Sequence, residues 1–196
     1  MSDFPADVID HLAGIAPGAH LDTVRALRVQ ARENAQNSFL ALFAPTDTAD
    51  MSLRERFAVA TFVAVLHGDG HAELFYLKGA ADQDGLGATI AAEAAIGATA
   101  GPYGAYPSAA LADENTTGMD YHASAGNRGT LGPRLAAAFE HVHMLVFHPR
   151  EASAPSLQAL LDAGWSTTGI VTLSQLVAFL SFQLRVVAGL RVLAAA

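Results

Sequence analysis

Cysteine is absent from this chain of 196 residues. Its absence excludes disulfide bonds, thiolate metal sites and every mechanism that depends on a cysteine nucleophile or a peroxidatic thiol. Lysine is nearly absent as well, since Lys78 is its only example. With 11 basic against 19 acidic side chains and a formal net charge of −8, the chain has no basic stripe that could follow a phosphate backbone. We therefore expect no nucleic-acid partner.

Strand patterns and leader patterns are also missing. No run of alternating apolar and polar residues is bounded by turns, whereas three- and four-residue apolar steps recur along the chain. These patterns predict an all-α fold, and the length is that of a single domain spanning 1–196. The N-terminus lacks a positive region followed by an apolar run, so no secretory signal is predicted.

The apolar stretch 170–193 is the longest in the chain and raises the question of a membrane span. Polar or charged side chains interrupt it at Gln175, Gln183, Arg185 and Arg191. Its uninterrupted parts are too short to cross the hydrocarbon core of a bilayer. We expect a buried core helix, no membrane partner and a cytoplasmic location.

Capping residues and glycines indicate where the helices begin and end. The capping box Ser52-Leu53-Arg54-Glu55 precedes an apolar run, and Ser166 can cap the last and longest helix. The spacing from Leu21 to Leu42 predicts one amphipathic helix. His67-Gly68-Asp69-Gly70 predicts a helix break, because two glycines within four residues disfavour a helix.

The segment 101–131 differs from the rest in composition. It is rich in glycine, proline and tyrosine and shows no periodicity. A loop of this length is usually functional or disordered. Its tyrosines favour an ordered arm that packs on a partner or a neighbouring subunit.

Two clusters of ionisable residues could carry chemistry. The first, from His67 to Glu73, contains Asp69 and His71, which could relay protons or contribute to a metal site, although a polar helix junction capped by Asp69 explains it too. In the second, Glu140 and His143 share a helical face. Their Glu-x-x-His spacing is that of di-iron bundles, but no second copy is present, and buried histidines with hydrogen-bond partners explain it equally.

Several parts of the chain resemble the carboxymuconolactone decarboxylase and alkyl hydroperoxidase D superfamily. Leu53-Arg54-Glu55-Arg56, a helix of small apolar residues and a glycine-containing break are similar to the first motif of that superfamily. The turn Gly164-Trp165-Ser166, followed by a long apolar helix that ends near Arg185, resembles its peroxidase-related branch. The resemblance implies an alkyl hydroperoxidase D-like helical bundle and a homo-oligomer.

The departures from the family motif decide which activity is expected. Asp69 and Ala72 stand where the family has its two cysteines, so thiol peroxidase activity is excluded. The decarboxylase branch works without cysteine, which implies that His71 with Glu55, Asp69 or Glu73 could form an acid–base site.

Three functional hypotheses follow from these residues. The first is cofactor-independent acid–base chemistry on a small organic acid or lactone, and the second is a non-catalytic oligomeric binding or structural subunit. The third is a metal-dependent site formed by the two histidine clusters. Helical phase further predicts that Glu140 and His143 share an inward-facing stripe. The resemblance to the superfamily implies that the helix of the first motif packs against this stripe, which would bring His71 to the same interior cavity. No glycine-rich phosphate loop is present, so we expect no cofactor.

Overall fold

The regular secondary structure of the described residues is helical throughout. In the computed structural model, which describes residues 4–80 and 85–195, helices account for 69% of the residues and no β-strand occurs among those described. The prediction of an all-α fold is confirmed. The described residues form nine α-helices: α1 (Val8–Ala13), α2 (His20–Ala26), α3 (Val29–Phe43), α4 (Leu53–Leu66), α5 (Gly70–Gly79), α6 (Leu86–Ile96), α7 (Arg128–Phe147), α8 (Ala154–Asp162) and α9 (Thr167–Ala194).

Helix α4 lies at the centre of the fold. Its nine consecutive residues from Arg56 to Ala64 are all buried, and the helix packs against α5, α6, α7 and α9. Against α7 the packing is aromatic: the rings of Phe62 and Phe139 stack with their centroids 4.2 Å apart. A helix with neighbours on every side needs apolar residues all round, which explains why α4 has no polar face.

The predicted capping box and the predicted helix break are both present. Ser52 and Glu55 cap α4 reciprocally. Helix α4 ends at Leu66, Gly68 takes a positive φ of 70°, and Asp69 begins α5 by accepting a hydrogen bond from the backbone N–H of Ala72 at 3.0 Å. Glycine adopts that backbone conformation without the steric cost of a Cβ atom, so the sequence turns sharply at this point.

The prediction of one helix from Leu21 to Leu42 is wrong. The chain forms α2 and α3 instead, because Arg28 has φ −113° and ψ 57°, outside the helical region. Helix α2 buries none of its residues, so its apolar spacing does not correspond to a core face. It is held by charge: Arg25 pairs with Asp7 at 3.1 Å and also with Asp10.

Helix α9 is both a core helix and an unusually apolar one. By length and composition alone it could cross a membrane, a test that the core helices of soluble proteins also pass. In this fold 39% of its most apolar window is buried, and the buried residues, such as Leu176 and Leu180, lie on one face. Ser166 caps it as predicted, by accepting a hydrogen bond from the backbone N–H of Gly169 at 3.0 Å.

Candidate functional site

Glu55, a predicted acid–base residue, is bound to structural partners. It accepts hydrogen bonds from the backbone N–H of Ser52 at 2.8 Å and from Nε of Arg134 at 2.8 Å. Burial raises the pKa of Glu55, but the bonds from Arg134 and Ser52 outweigh burial and leave the pKa below its ordinary value. The carboxylate therefore stays ionised while it joins the start of α4 to α7.

Asp69, His71 and Glu73 do not form a catalytic group in this structure. Asp69 is only 7% exposed, caps α5 and pairs with Arg191 of α9 at 2.9 Å. His71 is exposed and Glu73 is half-buried, and neither side chain bonds to another described residue. The capping role explains Asp69 fully. No described residue forms a hydrogen bond or an ion pair with the side chain of His71 or Glu73.

Glu140 and His143 lie on α7, whereas His71 lies on α5. His143 is fully buried, and its Nε2 donates a hydrogen bond to the carbonyl of Gly97 at 2.9 Å. Burial lowers the pKa of His143, which the bond to Gly97 only partly offsets. Glu140 accepts a hydrogen bond from Arg128 at 2.5 Å. No contact of the described residues joins His71 to either, so the structure does not bring the three together.

The segment predicted as an arm, 101–131, corresponds to the connection between α6 and α7, residues 98–127, because α7 already begins at Arg128. This connection, called the arm below, packs against its own chain. Glu93 of α6 is fully buried and accepts hydrogen bonds from the hydroxyls of Tyr121 and Ser124, both at 2.5 Å, and from the amide of Asn127 at 2.7 Å. Burial raises the pKa of Glu93, but these donors outweigh it and lower the pKa overall. Tyr103 of the arm is buried as well. Tyr103 and Tyr121, two of the tyrosines expected to meet a partner, are thus buried within the chain itself.

The arm, α7 and α8 enclose a pocket of about 620 Å³, called the arm pocket below. This volume is in the range of sites that hold small organic molecules. Helix α7 and its C-cap residue contribute five of the lining side chains. These side chains are Ala137, Glu140, His141, Met144 and His148. The arm contributes the roof, which includes Tyr103, Met119 and Tyr121.

His141 is a buried histidine without a protein partner. It is 5% exposed, and no hydrogen bond joins its side chain to another described residue. Its Nδ1 is fully shielded, which leaves Nε2 as the nitrogen that a molecule in the pocket can reach. Burial lowers the pKa of His141, so the ring is neutral at pH 7. A proton on Nδ1 would have no acceptor, which favours the tautomer that carries it on Nε2.

His148 and Glu151 form a second polar group at the end of α7. Nδ1 of His148 lies 2.8 Å from Oε2 of Glu151, and the imidazole is 7% exposed and stacked on the ring of Tyr103. When Nδ1–H donates to the carboxylate, Nε2 carries the free lone pair. A carboxylate that orients an imidazole in this way also stabilises its protonated form, as in general-base sites.

Apart from histidines, the ionisable side chains that line the arm pocket are acidic or tyrosines. Its lining contains three carboxylates, from Asp120, Glu140 and Glu151, and neither arginine nor lysine. Glu140 is neutralised by Arg128, which lies outside the lining. The three carboxylates do not converge on a cation site, because the described residues include no group of three or more histidines and carboxylates placed to hold a metal ion.

The pair predicted on α7, Glu140 and His143, coincides only in part with the lining of the arm pocket. Glu140 lines the pocket and His143 does not, and the two α7-side histidines that do, His141 and His148, are not among the predicted site residues. The spacing of three and four residues from 137 to 148 was available as a signal. Periodicity cannot distinguish two adjacent stripes when both contain histidine, because the choice depends on where the arm packs.

Comparison with known proteins identifies no relative. No family model, no curated protein and no solved structure matches this chain.

Proposed function

We propose that the arm pocket binds a small uncharged organic molecule, such as a lactone, and that its histidines carry out acid–base chemistry without a cofactor. The observation that carries the proposal is His141, a buried neutral imidazole with no protein partner, in the same pocket as the His148–Glu151 pair. Buried polar groups normally have partners, and an unpaired one costs about 1–3 kcal/mol. A ligand that accepts a hydrogen bond from His141 would remove that cost.

The two histidines have different roles in this proposal. Seven residues separate them along α7, which corresponds to about 10 Å. Nε2–H of His141 donates to an oxygen at one end of the ligand and fixes its position. At the other end Nε2 of His148 takes a proton from the carbon next to the lactone carbonyl, and Glu151 stabilises the resulting imidazolium. The electron pair of the broken C–H bond moves onto the carbonyl oxygen as an enolate, and return of the proton from His148 to the same carbon regenerates the lactone.

The charge of the lining favours a lactone over an organic acid. Of the three carboxylates in the lining only Glu140 is paired with an arginine, and the lining itself contains neither arginine nor lysine, so a carboxylate substrate would be repelled in a partly dehydrated site. An uncharged lactone does not meet that repulsion. This argument narrows the substrate class to molecules without a negative charge.

The experiment uses δ-octalactone and the 5-hydroxyoctanoate formed by opening its ring. The lactone is expected to shift the imidazole NMR signals of His141, while the hydroxy acid leaves them unchanged. In D₂O the protein is expected to exchange the protons next to the lactone carbonyl. His148→Gln should lower that exchange rate about 100-fold, the usual contribution of a general base, and His141→Gln should weaken binding about tenfold. His20→Gln, at an exposed histidine outside the pocket, is the matched control.

Two results would contradict the acid–base proposal. One is exchange that persists at the wild-type rate in His148→Gln. The other is a hydroxy acid that perturbs His141 as strongly as the lactone does.

The resemblance to a known superfamily remains a further part of the proposal. We infer a cysteine-less member of the carboxymuconolactone decarboxylase and alkyl hydroperoxidase D superfamily. The capped, wholly buried helix α4 followed by a break at Gly68 supports this inference, as does a long helix after Trp165. The acid–base residues inferred from the family motif are replaced in the proposal by His141, His148 and Glu151.

A second candidate function is a non-catalytic oligomeric subunit. It is favoured by apolar side chains on the outer face of α9, where Val171 is 56% exposed, Val192 71% and Leu193 63%. Exposed apolar patches are typical of association surfaces. Sedimentation at micromolar concentration is expected to give a species larger than 20.4 kDa, and a stable monomer would contradict this candidate.

A further inference from the structure

A second pocket lies along α9, away from the arm pocket. This groove, called the α9 groove below, has a volume of about 1020 Å³ and shares no lining residue with the arm pocket. It follows α9 from Ser174 to Arg185, a distance of about 16 Å at the rise of an α-helix. Its opposite wall is formed by the start of the arm and the end of α7, including Pro102 and Phe147.

Most of the α9 groove is apolar. Val177, Ala178 and Phe182 of α9 face Leu145 and Val146 of α7 across it. Phe182 is 49% exposed, so a large aromatic surface remains open to a ligand. Covering such a surface is favourable by about 25 cal/mol per Å² of apolar area.

One end of the groove carries a positive charge that none of the described residues neutralises. Arg185 is exposed, and its guanidinium makes no hydrogen bond or ion pair with any described residue. The lining contains neither aspartate nor glutamate. A free guanidinium above an apolar surface is suited to a carboxylate, which it can bind through two parallel hydrogen bonds.

His67 adds a polar group at the same end. It lines the groove where α4 ends, its Nε2 is buried without a partner, and Nδ1 bonds to no other described residue. Burial lowers the pKa of His67, the positive charge of Arg185 lowers it further, and the charge of Asp69 opposes both. The ring is therefore neutral at pH 7, and Nδ1 can donate a hydrogen bond to an anion.

We propose that the α9 groove binds a single-chain carboxylate with an apolar tail, such as a medium-chain fatty acid. The carboxylate pairs with Arg185 and accepts a hydrogen bond from His67, and the tail lies along Val177, Ala178 and Phe182 toward Ser174. The length of the groove, its apolar floor and the single unpaired cation at one end all match this molecule. Asp69 is already occupied by Arg191, so it does not compete for Arg185.

The test uses decanoate and decanol, which share the apolar chain and differ in charge. Decanoate is expected to bind at least tenfold more tightly than decanol, to shift the imidazole signals of His67 and to raise its pKa. Arg185→Gln should weaken decanoate binding about tenfold, the size expected for a charge-assisted pair, and should leave decanol binding unchanged. Arg54→Gln is the matched control, because Arg54 is an exposed arginine at the opposite end of α4 from His67.

Several outcomes would overturn the proposal. They are equal affinity for decanol and decanoate, equal loss of decanoate binding in Arg54→Gln and Arg185→Gln, and decanoate binding that leaves His67 unperturbed. A groove closed by a second copy of the chain would also overturn it, and sedimentation with and without decanoate would reveal that case. Vesicles of an anionic phospholipid expose charged headgroups and bury the acyl chains. Binding to such vesicles without binding of decanoate would therefore contradict the proposal that the ligand is a free carboxylate.

Discussion

The arm pocket and the α9 groove each contain a histidine that has no hydrogen-bond partner among the described residues, yet opposite charges lie near the two rings. His141 lies among three carboxylates with no cation in the lining, whereas His67 lies beside the unpaired Arg185 with no carboxylate in the lining. A neutral imidazole can donate or accept a hydrogen bond in either setting. In both proposals, therefore, the neighbouring charges and not the histidine determine which ligand the site is expected to select.

The two sites also differ in how they are built. The roof of the arm pocket is an irregular segment, held to α6 by the buried carboxylate of Glu93 and its three side-chain donors. The α9 groove lies mainly between two helices, whose shape is fixed by packing. Loosening the part of the arm that Glu93 holds should therefore remove the arm pocket and leave the α9 groove, which uses only Gly101 and Pro102 of the arm.

The largest expected effect comes from Glu93→Ala. This change leaves the buried hydroxyl of Tyr121 and the donors of Ser124 and Asn127 without an acceptor, and it is expected to lower the free energy of unfolding by about 3 kcal/mol. The arm should loosen, so δ-octalactone binding should be lost while decanoate binding stays. Chemical denaturation and site-resolved NMR measure the two effects.

Glu93→Gln is the matched variant, because it keeps an acceptor oxygen and nearly the same shape. It is expected to lower the free energy of unfolding by less than half as much as Glu93→Ala does. Loss of both ligands in Glu93→Ala, at a temperature where the variant is still folded, would show that the two sites are not independent.

An intermediate effect is expected when the pH falls. The pKa values of His67, His141 and His143 all lie below the ordinary value in the folded chain, chiefly because of burial. Between the folded and the ordinary pKa the unfolded chain binds protons that the folded chain does not. The free energy of unfolding should therefore fall as the pH drops below about 6.5, by up to about 1.4 kcal/mol per pH unit for each such histidine.

His141→Gln separates this effect from other titrations. In this variant the free energy of unfolding should fall less steeply between pH 7 and pH 5, since the folded chain contains one buried histidine fewer. His20→Gln removes an exposed histidine and should leave the slope unchanged. An identical slope in the wild type and in His141→Gln would mean that burial of His141 does not govern its protonation.

The sequence allowed prediction of those parts of the fold that depend on neighbouring residues. The capping box at Ser52, the break at Gly68 and the cap at Ser166 are local hydrogen bonds or backbone preferences, so short motifs specify them. The division between α2 and α3 was missed because distant charges hold α2, and Asp7 lies 18 residues before Arg25.

The candidate sites could not be predicted in the same way. The arm has no periodicity, and its position depends on Glu93, which lies 31 residues before Ser124 and resembles any other glutamate of an alanine-rich helix in the sequence. His141 becomes a site residue only because the arm covers that stripe of α7. The expectation that the long helix ends near Arg185 is wrong, because the apolar residues after it continue α9 to Ala194. That Arg185 has no partner among the described residues is a tertiary property, which a sequence motif does not specify.

The smallest expected effect, and the most direct comparison of the two sites, is on histidine pKa values in Arg185→Gln. Removing this positive charge removes one of the two causes that lower the pKa of His67, so that pKa should rise toward its ordinary value. Burial alone lowers the pKa of His141, which should not change. Both values are measured in one NMR titration of the imidazole signals, with Arg54→Gln as the charge-matched control. Equal shifts of the two histidines would mean that the variant changes the overall charge of the protein and not the α9 groove. No shift of His67 would mean that Arg185 points away from it in solution, and the carboxylate site would then lose its cation.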